Sequence, residues 1–382
     1  MGRLVAMARY RRLRRIPLAA ALAGLTGCSG VMVAQPTPVP GQGPLGVPQP
    51  TVTQIAVGAN PTRSAPQVNQ FVAQVSPPGE RAAGNRYGWL ESVRSGRTRH
   101  WILIENQATT KALARLPQRA WIRSRLAQLQ GQGPASAEQL SANEFVVERV
   151  SYLGPDGTRL PMQIAHRRDL VRDGNQPTLL TVYHATGKPE ERLLQPFVLV
   201  WLEMGGVYAR AEVRNGLAGI PPPREVVRVP DRAIALSDLF AAGQSLIDRH
   251  YTRRARLGIY GRGFSGLMAG AAVAMRPDFF GVALPEGTWA QYRQIASGNC
   301  FPPTLITTAE HDGTIRPWRG FELAAVLQAE QICAHPILIR IESGEGLGEP
   351  PAVRRERAAD ELAFAARWLG APLPGRSPGK TP

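Results

Sequence analysis

The chain has 382 residues, 43% hydrophobic and 19% charged, with 39 Gly, 34 Pro and 3 Cys, enough apolar content for a true core and too much for wholesale disorder. No apolar run reaches the ~18 residues of a membrane span, and three cysteines exclude a disulfide scaffold or a four-cysteine zinc module. The formal charge of +16 invites a nucleic-acid reading, but Arg3, Arg9, Arg11, Arg12, Arg14 and Arg15 crowd the N-terminus, and the other basic residues are scattered with no stripe of interleaved aromatics. Nucleic acid is excluded as the partner.

The N-terminus reads as an address. A basic head is followed by the short apolar stretch Ile16 to Thr26 and then Cys28, the proportions of a secretory signal. Leu25-Thr26-Gly27-Cys28 resembles the lipobox of bacterial lipoproteins, which implies cleavage after residue 27 and lipidation of Cys28. The expectation is a bacterial envelope protein, lipid-anchored and facing the periplasm. Residues 28–80 are proline-rich with few charges, a disordered spacer, and residues 371–382 form a similar tail.

The folded body is expected in two parts, a helical arm over 81–143 and an α/β domain over 144–370. Trp89 to Leu129 carries apolar residues at helical spacing. Phe145–Tyr152 and Thr158–His166 alternate around the Gly154–Gly157 turn, which predicts a hairpin. Apolar strands follow at Thr178–Tyr183, Val207–Val213, Ala255–Tyr260, Phe279–Leu284, Pro303–Ala309 and His335–Ile341. Helices are expected at Phe197–Met204, Asp238–His250, Gly266–Met275, Phe321–Gln331 and Val353–Leu369. Apolar strands alternating with helices predict a mostly parallel eight-stranded sheet covered on both faces. Its site belongs beyond the carboxyl ends of the strands, where His184, the Gly261–Gly266 turn, Glu286, Glu310 to Asp312 and Glu345 fall.

The turn at Gly261-Arg262-Gly263-Phe264-Ser265-Gly266 joins a strand to a helix with small residues two either side of Gly263, the pattern of a nucleophile elbow. The apex, Gly263, offers no nucleophile. Two other readings use the same residues: Ser265 as a displaced nucleophile, and a G-x-G-x-x-G dinucleotide turn with Glu286 as the acid. A zinc site formed by His184, His311 and Glu345 is a further, weaker reading, and no metal or cofactor is expected. Cys300 and Cys333 precede successive strands, so a disulfide joins them if those strands are neighbours.

Several short stretches resemble one family in consistent order. Tyr87 to Glu91, Asn106, Thr109 to Leu113, Asp156 to Thr158, Pro177 to Leu180, Gly205 to Ala209, Arg214, Pro277-Asp278 and His311-Asp312 are similar to the prolyl oligopeptidase family of serine peptidases. The resemblance implies an α/β-hydrolase three-layer sandwich with an N-terminal helical arm, and a peptide or protein ligand. It also implies roles. The family's nucleophilic serine falls on Gly263, its acid on Asp312 (kept), its histidine on Glu345 and a substrate-binding arginine on Thr314, while Tyr183 falls at a candidate oxyanion donor. The family's β-propeller has no counterpart, because only about fifteen residues, Gln130 to Asn143, separate arm and domain. The segment around Ile295 to Cys300, which carries substrate-pocket residues in the family, is cut short. Triad members act as a unit, so losing Ser and His removes nearly all the catalysis. The leading reading is a non-catalytic binding or scaffolding domain, the alternative an active peptidase or esterase using Ser265, and the third nucleotide binding at the glycine turn.

Overall fold

A computed structural model describes residues 87–131, 144–183, 193–214, 229–287, 298–310, 318–343 and 350–374. The proposed signal and linker, with Cys28, and residues 375–382 of the proposed tail lie outside them. The tail's first residue, Ala371, is instead buried, its N–H donating to the Ala366 carbonyl of the preceding helix at 3.0 Å.

The arm is two helices rather than one helical run. A 3-10 turn at Gly88–Glu91 leads to α1 (Gly96–Leu113) and α2 (Arg119–Gly131). Ser95 caps α1 by accepting the Thr98 amide at 3.1 Å, and Pro117, which cannot continue a helix, stands between α1 and α2. The hairpin pairs β1 (Phe145–Leu153) antiparallel with β2 (Arg159–Arg167). Then come β3 (Thr178–Tyr183), α3 (Pro196–Glu203), β4 (Val207–Glu212), α4 (Val229–Asp248), β5 (Leu257–Arg262) and α5 (Phe264–Met275). The chain closes with β6 (Val282–Glu286), β7 (Thr304–Ala309), α6 (Trp318–Glu330), β8 (Ile337–Glu342) and α7 (Pro351–Leu369).

The eight strands form one sheet in the order β1-β2-β4-β3-β5-β6-β7-β8, antiparallel at β1/β2 and β2/β4 and parallel from β4 to β8. The α4, α5 and α6 helices pack one face, with Leu239, Met268 and Phe321 wholly buried. The α2, α3 and α7 helices pack the other around Ile122, Trp201 and Phe364. Trp201 lies flat against the α3–β4 turn and donates its indole N–H to the Val207 carbonyl at 2.9 Å. A Cβ on Gly206 would sit 2.3 Å from that ring, so the turn needs glycine.

Most expected boundaries shift by one to three residues, and one helix starts nine residues early. The strand expected at Phe279–Leu284 is β6 at Val282–Glu286, because Phe279 and Phe280 turn instead into a cluster with Phe240 at centroid distances of 5.2 and 6.2 Å. The strand expected from Ala255 starts at Leu257, after a 3-10 turn over Arg254–Arg256. The helix expected from Asp238 starts at Val229, with Pro230 in its first turn, where proline forfeits no helical hydrogen bond.

The far edge of the sheet is closed by the arm. Asn106 of α1 lies beside edge strand β8, where its amide accepts from Ile341 N–H at 2.8 Å and donates to Ile341 C=O at 2.8 Å. One turn on, the Thr109 hydroxyl donates to Ile339 C=O at 2.8 Å. An asparagine side chain thus stands in for a ninth strand, and α1 buries Ile102 against one core and Leu113 against the other. At the opposite end of the same strands, a disulfide joins Cys300 to Cys333 with Cα atoms 5.1 Å apart and a sequence separation of 33. A loop of that length contributes about 3 to 4 kcal/mol in the chain-entropy description.

Replacing Asn106 with alanine removes both edge bonds and leaves the Ile341 amide and carbonyl open. We expect a loss of about 2 kcal/mol in urea unfolding and concentration-dependent association of the native protein. Equilibrium denaturation and light scattering measure the two effects; unchanged stability and monodispersity would refute the edge-closing role.

Candidate functional site

The sheet puts its central strand, β5, at the turn that the sequence marked. Apolar Leu257, Gly258 and Ile259 run through the interior, the chain reverses at Gly263, and α5 departs at Phe264. Gly263 has φ +59° and ψ −117°, a backbone that side-chain-bearing residues rarely adopt. Its N–H donates to the Glu286 carbonyl at 3.1 Å and its own carbonyl accepts the Leu267 N–H at 2.9 Å.

The glycines of this turn do different jobs. A Cβ on Gly261 would lie 2.2 Å from the Ser265 backbone, and one on Gly266 would lie 2.0 Å from the Glu286 carbonyl. Both are therefore required for α5 to approach the sheet. Gly263 is different: a Cβ there meets nothing within 4 Å. The apex has room for a side chain that the sequence does not supply.

Ser265 sits in the first turn of α5, and its hydroxyl is bound to the turn itself. It accepts from Arg262 N–H at 3.2 Å and donates to Arg262 C=O at 3.0 Å. A dinucleotide needs a free backbone N–H at the second glycine for its pyrophosphate and a free acid beyond for its ribose. Here the Gly263 N–H donates to the Glu286 carbonyl at 3.1 Å, and the carboxylate of Glu286 is engaged by Arg262 Nε at 3.0 Å and Arg357 Nε at 3.4 Å. That geometry speaks against the nucleotide-binding reading.

Tyr183 ends β3, half-buried, with the Arg210 guanidinium 5.3 Å from its ring centre. Its hydroxyl donates to Glu212 Oε2 on β4 at 3.2 Å, on the side of β3 away from β5 and the elbow. The candidate oxyanion donor is thus turned toward a carboxylate. The loops that carry Asp312 and Glu345 leave from neighbouring strands, since β7 and β8 pair in parallel and Glu310 N–H donates to Glu342 C=O at 2.7 Å. Asp312, Thr314, Glu345, His184 and His311 themselves lie outside the described residues. Among the described residues no group of three His, Cys, Asp or Glu is placed to hold a metal ion.

Sequence reasoning missed a buried ionic seam running from the elbow to the sheet edge under α7. From Glu286 it passes through Arg357, whose Nη1 reaches Glu342 Oε2 at 2.7 Å, to Arg340, 3.1 Å from Glu342. Arg340 also pairs with Asp360, which pairs with Arg119, and Arg119 reaches Glu356 at 3.0 Å. The signal was present as charged residues closing otherwise apolar strands (Arg262, Glu286, Arg340, Glu342) and as the acids of α7. Glu361 of α7 lies inside this seam and accepts the Thr307 hydroxyl at 3.3 Å. Burial, then the negative charge of Glu286 and Glu342, raise its pKa well above the ordinary 4.5, against the opposing pull of Arg357 and Thr307.

A mostly parallel eight-stranded sheet with helices on both faces and a positive-φ elbow on its central strand defines an α/β-hydrolase domain. Residues 198–298 match the prolyl oligopeptidase family. The chain is 29% identical to the prolyl endopeptidase of Elizabethkingia meningoseptica over 269 residues, 61% of this chain and 38% of that enzyme. It is 32% identical to the uncharacterized peptidase y4nA of Sinorhizobium fredii over 208 residues, 45% and 29% of the two chains. A solved prolyl endopeptidase superposes with a TM-score of 0.53 at 27% identity, covering 60% of this chain and 39% of that one. The chain carries a prolyl oligopeptidase family domain, and what it shares with these enzymes is their C-terminal catalytic domain. It spans under two-fifths of the length of the prolyl endopeptidase.

An acid whose folded pKa exceeds its unfolded value binds an extra proton in the native state, so its burial costs nothing at low pH and destabilises as pH rises above about 4.5. Glu361→Gln removes that dependence. The variant is expected to match the wild type in urea midpoint at pH 4 and to exceed it at pH 8; equal midpoints at both would show that Glu361 ionises freely.

Proposed function

We propose that this domain is a non-catalytic binding or scaffolding member of its family, held at the bacterial envelope by a lipid on Cys28. The observation that carries the reading is Gly263 at the apex of the elbow. A covalent hydrolase needs an oxygen or sulfur nucleophile there and a base within hydrogen-bond reach. Glycine offers no such atom, and the resemblance assigns the base position to Glu345, whose ordinary pKa of ~4.3 makes it a weak base for a hydroxyl. Ser265, the alternative nucleophile, spends its hydroxyl on the Arg262 backbone. His335 lies ahead of β8, at the amino edge of the sheet. The 132–144 segment between α2 and β1 is too short to carry a β-propeller at that position. A carboxyl edge without a nucleophile keeps its shape for holding a peptide or protein segment.

Purified protein is expected to resist fluorophosphonate labelling and to turn over neither prolyl peptides nor simple esters. Gly263→Ser alone stays nearly silent for want of a base. Gly263→Ser with Glu345→His recovers slow ester cleavage, roughly 10³ to 10⁴ over water or somewhat more, with Asp312 orienting the new imidazole. Stoichiometric labelling of the wild type, with Ser265 in the tagged peptide, would overturn the reading in favour of an active enzyme.

The anchor is tested separately. Expressed from its full sequence in a bacterial host, the chain should incorporate labelled palmitate and partition with membranes, and Cys28→Ser should abolish both. Soluble, unlabelled wild-type protein would remove the lipid.

A further inference from the structure

The arm carries an unneutralised basic surface with an apolar centre. From Ser92 to Ile104 the sequence holds Arg94, Arg97, Arg99 and His100 and no acid. Several arginines elsewhere in the fold are held by carboxylates, among them Arg119, Arg125, Arg172, Arg214 and Arg357. Arg94 and Arg99 are exposed and make no ion pair among the described residues. Arg97 stacks its guanidinium 4.2 Å from the Trp89 ring centre, which positions its charge without neutralising it. Within this surface Leu103 and Ile104 stand 54% and 48% exposed, although neighbouring Ile102 is buried. A cleft of about 540 Å³ opens there, lined by Val93, Arg94, Arg99, Ile102 and Leu103, with Glu310 from the end of β7 on its wall.

We propose that this cleft docks an acidic segment of another protein, one apolar side chain entering against Val93, Ile102 and Leu103 while flanking carboxylates meet Arg94 and Arg99. Charge complementarity selects the occupant. The chain's own terminal segments do not fit, since residues 1–86 contain a single acid, Glu80, and residues 371–382 contain none. A second copy presents the same positive surface and is repelled. An anionic bilayer would be attracted by the arginines but is too flat to enter a concave cleft, whereas a peptide can enter it with its backbone N–H groups donating to Glu310 and its carboxylates on the arginine side. Apolar anchors within a charged rim are the usual anatomy of such a contact. The arm carries this surface, so the inference stands whether or not the elbow is catalytic.

The test uses the full chain and fluorescein-labelled peptides Glu-Glu-X-Glu-Glu, with X as Leu, Phe, Ala or Lys, read by fluorescence anisotropy. Leu and Phe peptides should bind saturably, more weakly as salt rises, with Ala and Lys peptides weaker still. Arg94→Glu with Arg99→Glu should weaken binding at least about tenfold, and Leu103→Ser should weaken it with the salt dependence kept; thermal melts of both variants confirm that they fold. Binding undiminished by the charge reversal, or no binding up to about 1 mM, would overturn the proposal. So would phosphatidylglycerol vesicles that bind wild type but not the charge-reversed variant while the peptides do not bind, which would assign the surface to a membrane.

Discussion

The approach of α5 to the sheet is the constraint on which the centre of this fold depends. A helix can start directly behind β5 only if two backbone segments pass within contact distance, and Gly261 and Gly266 are the positions where any Cβ would collide. Those glycines serve packing and hold whatever the turn is used for. The apex residue is not under that constraint, because its Cβ would face open space. This separation explains how an elbow can keep its backbone with no nucleophile on it. The architecture of the turn and its chemistry reside in different residues, and only the chemistry is free to be lost.

The ionic seam beneath α7 begins one residue from that apex. Ion pairs this deep are weak sources of net stability, because the desolvation of each charge offsets most of the attraction. Their contribution is to geometry. Arg357 can satisfy Glu286 and Glu342 together only when β6, β8 and α7 sit in one register, and Arg340 with Asp360 and Arg119 extends the same requirement to the arm. Apolar surfaces tolerate sliding; a chain of guanidinium–carboxylate contacts does not. The carboxyl edge is therefore held rigid from the elbow to the last strand.

Much of this was legible in the sequence, and what was not shares a cause. Strands such as Thr178–Tyr183 are apolar throughout because both faces are covered, and the Gly154–Gly157 turn announces the hairpin. The elbow was legible from glycine spacing alone. The jobs of Asn106, Arg357 and Glu361 were hidden, since each depends on elements that become neighbours only in the fold: Asn106 meets a strand 235 positions away. Phe279 and Phe280 read as strand because aromatic residues favour strands, yet the cluster with Phe240 claimed them. Tyr183 was rightly placed at a strand end, but the direction of its hydroxyl depended on Glu212 of the next strand.

The bracket between α1 and β8 has a consequence for how the molecule is made. Asn106 leaves the ribosome 235 residues before its partner Ile341, so at ~5 to 20 residues per second the helix waits on the order of 10 to 50 s for the strand it will cover. During that interval the two cores to which α1 contributes are both incomplete, and contacts of such long range are slow to close. A growing chain of this design keeps its sheet edge open until the last strand, β8, has been made, so its arm cannot close over the domain piece by piece.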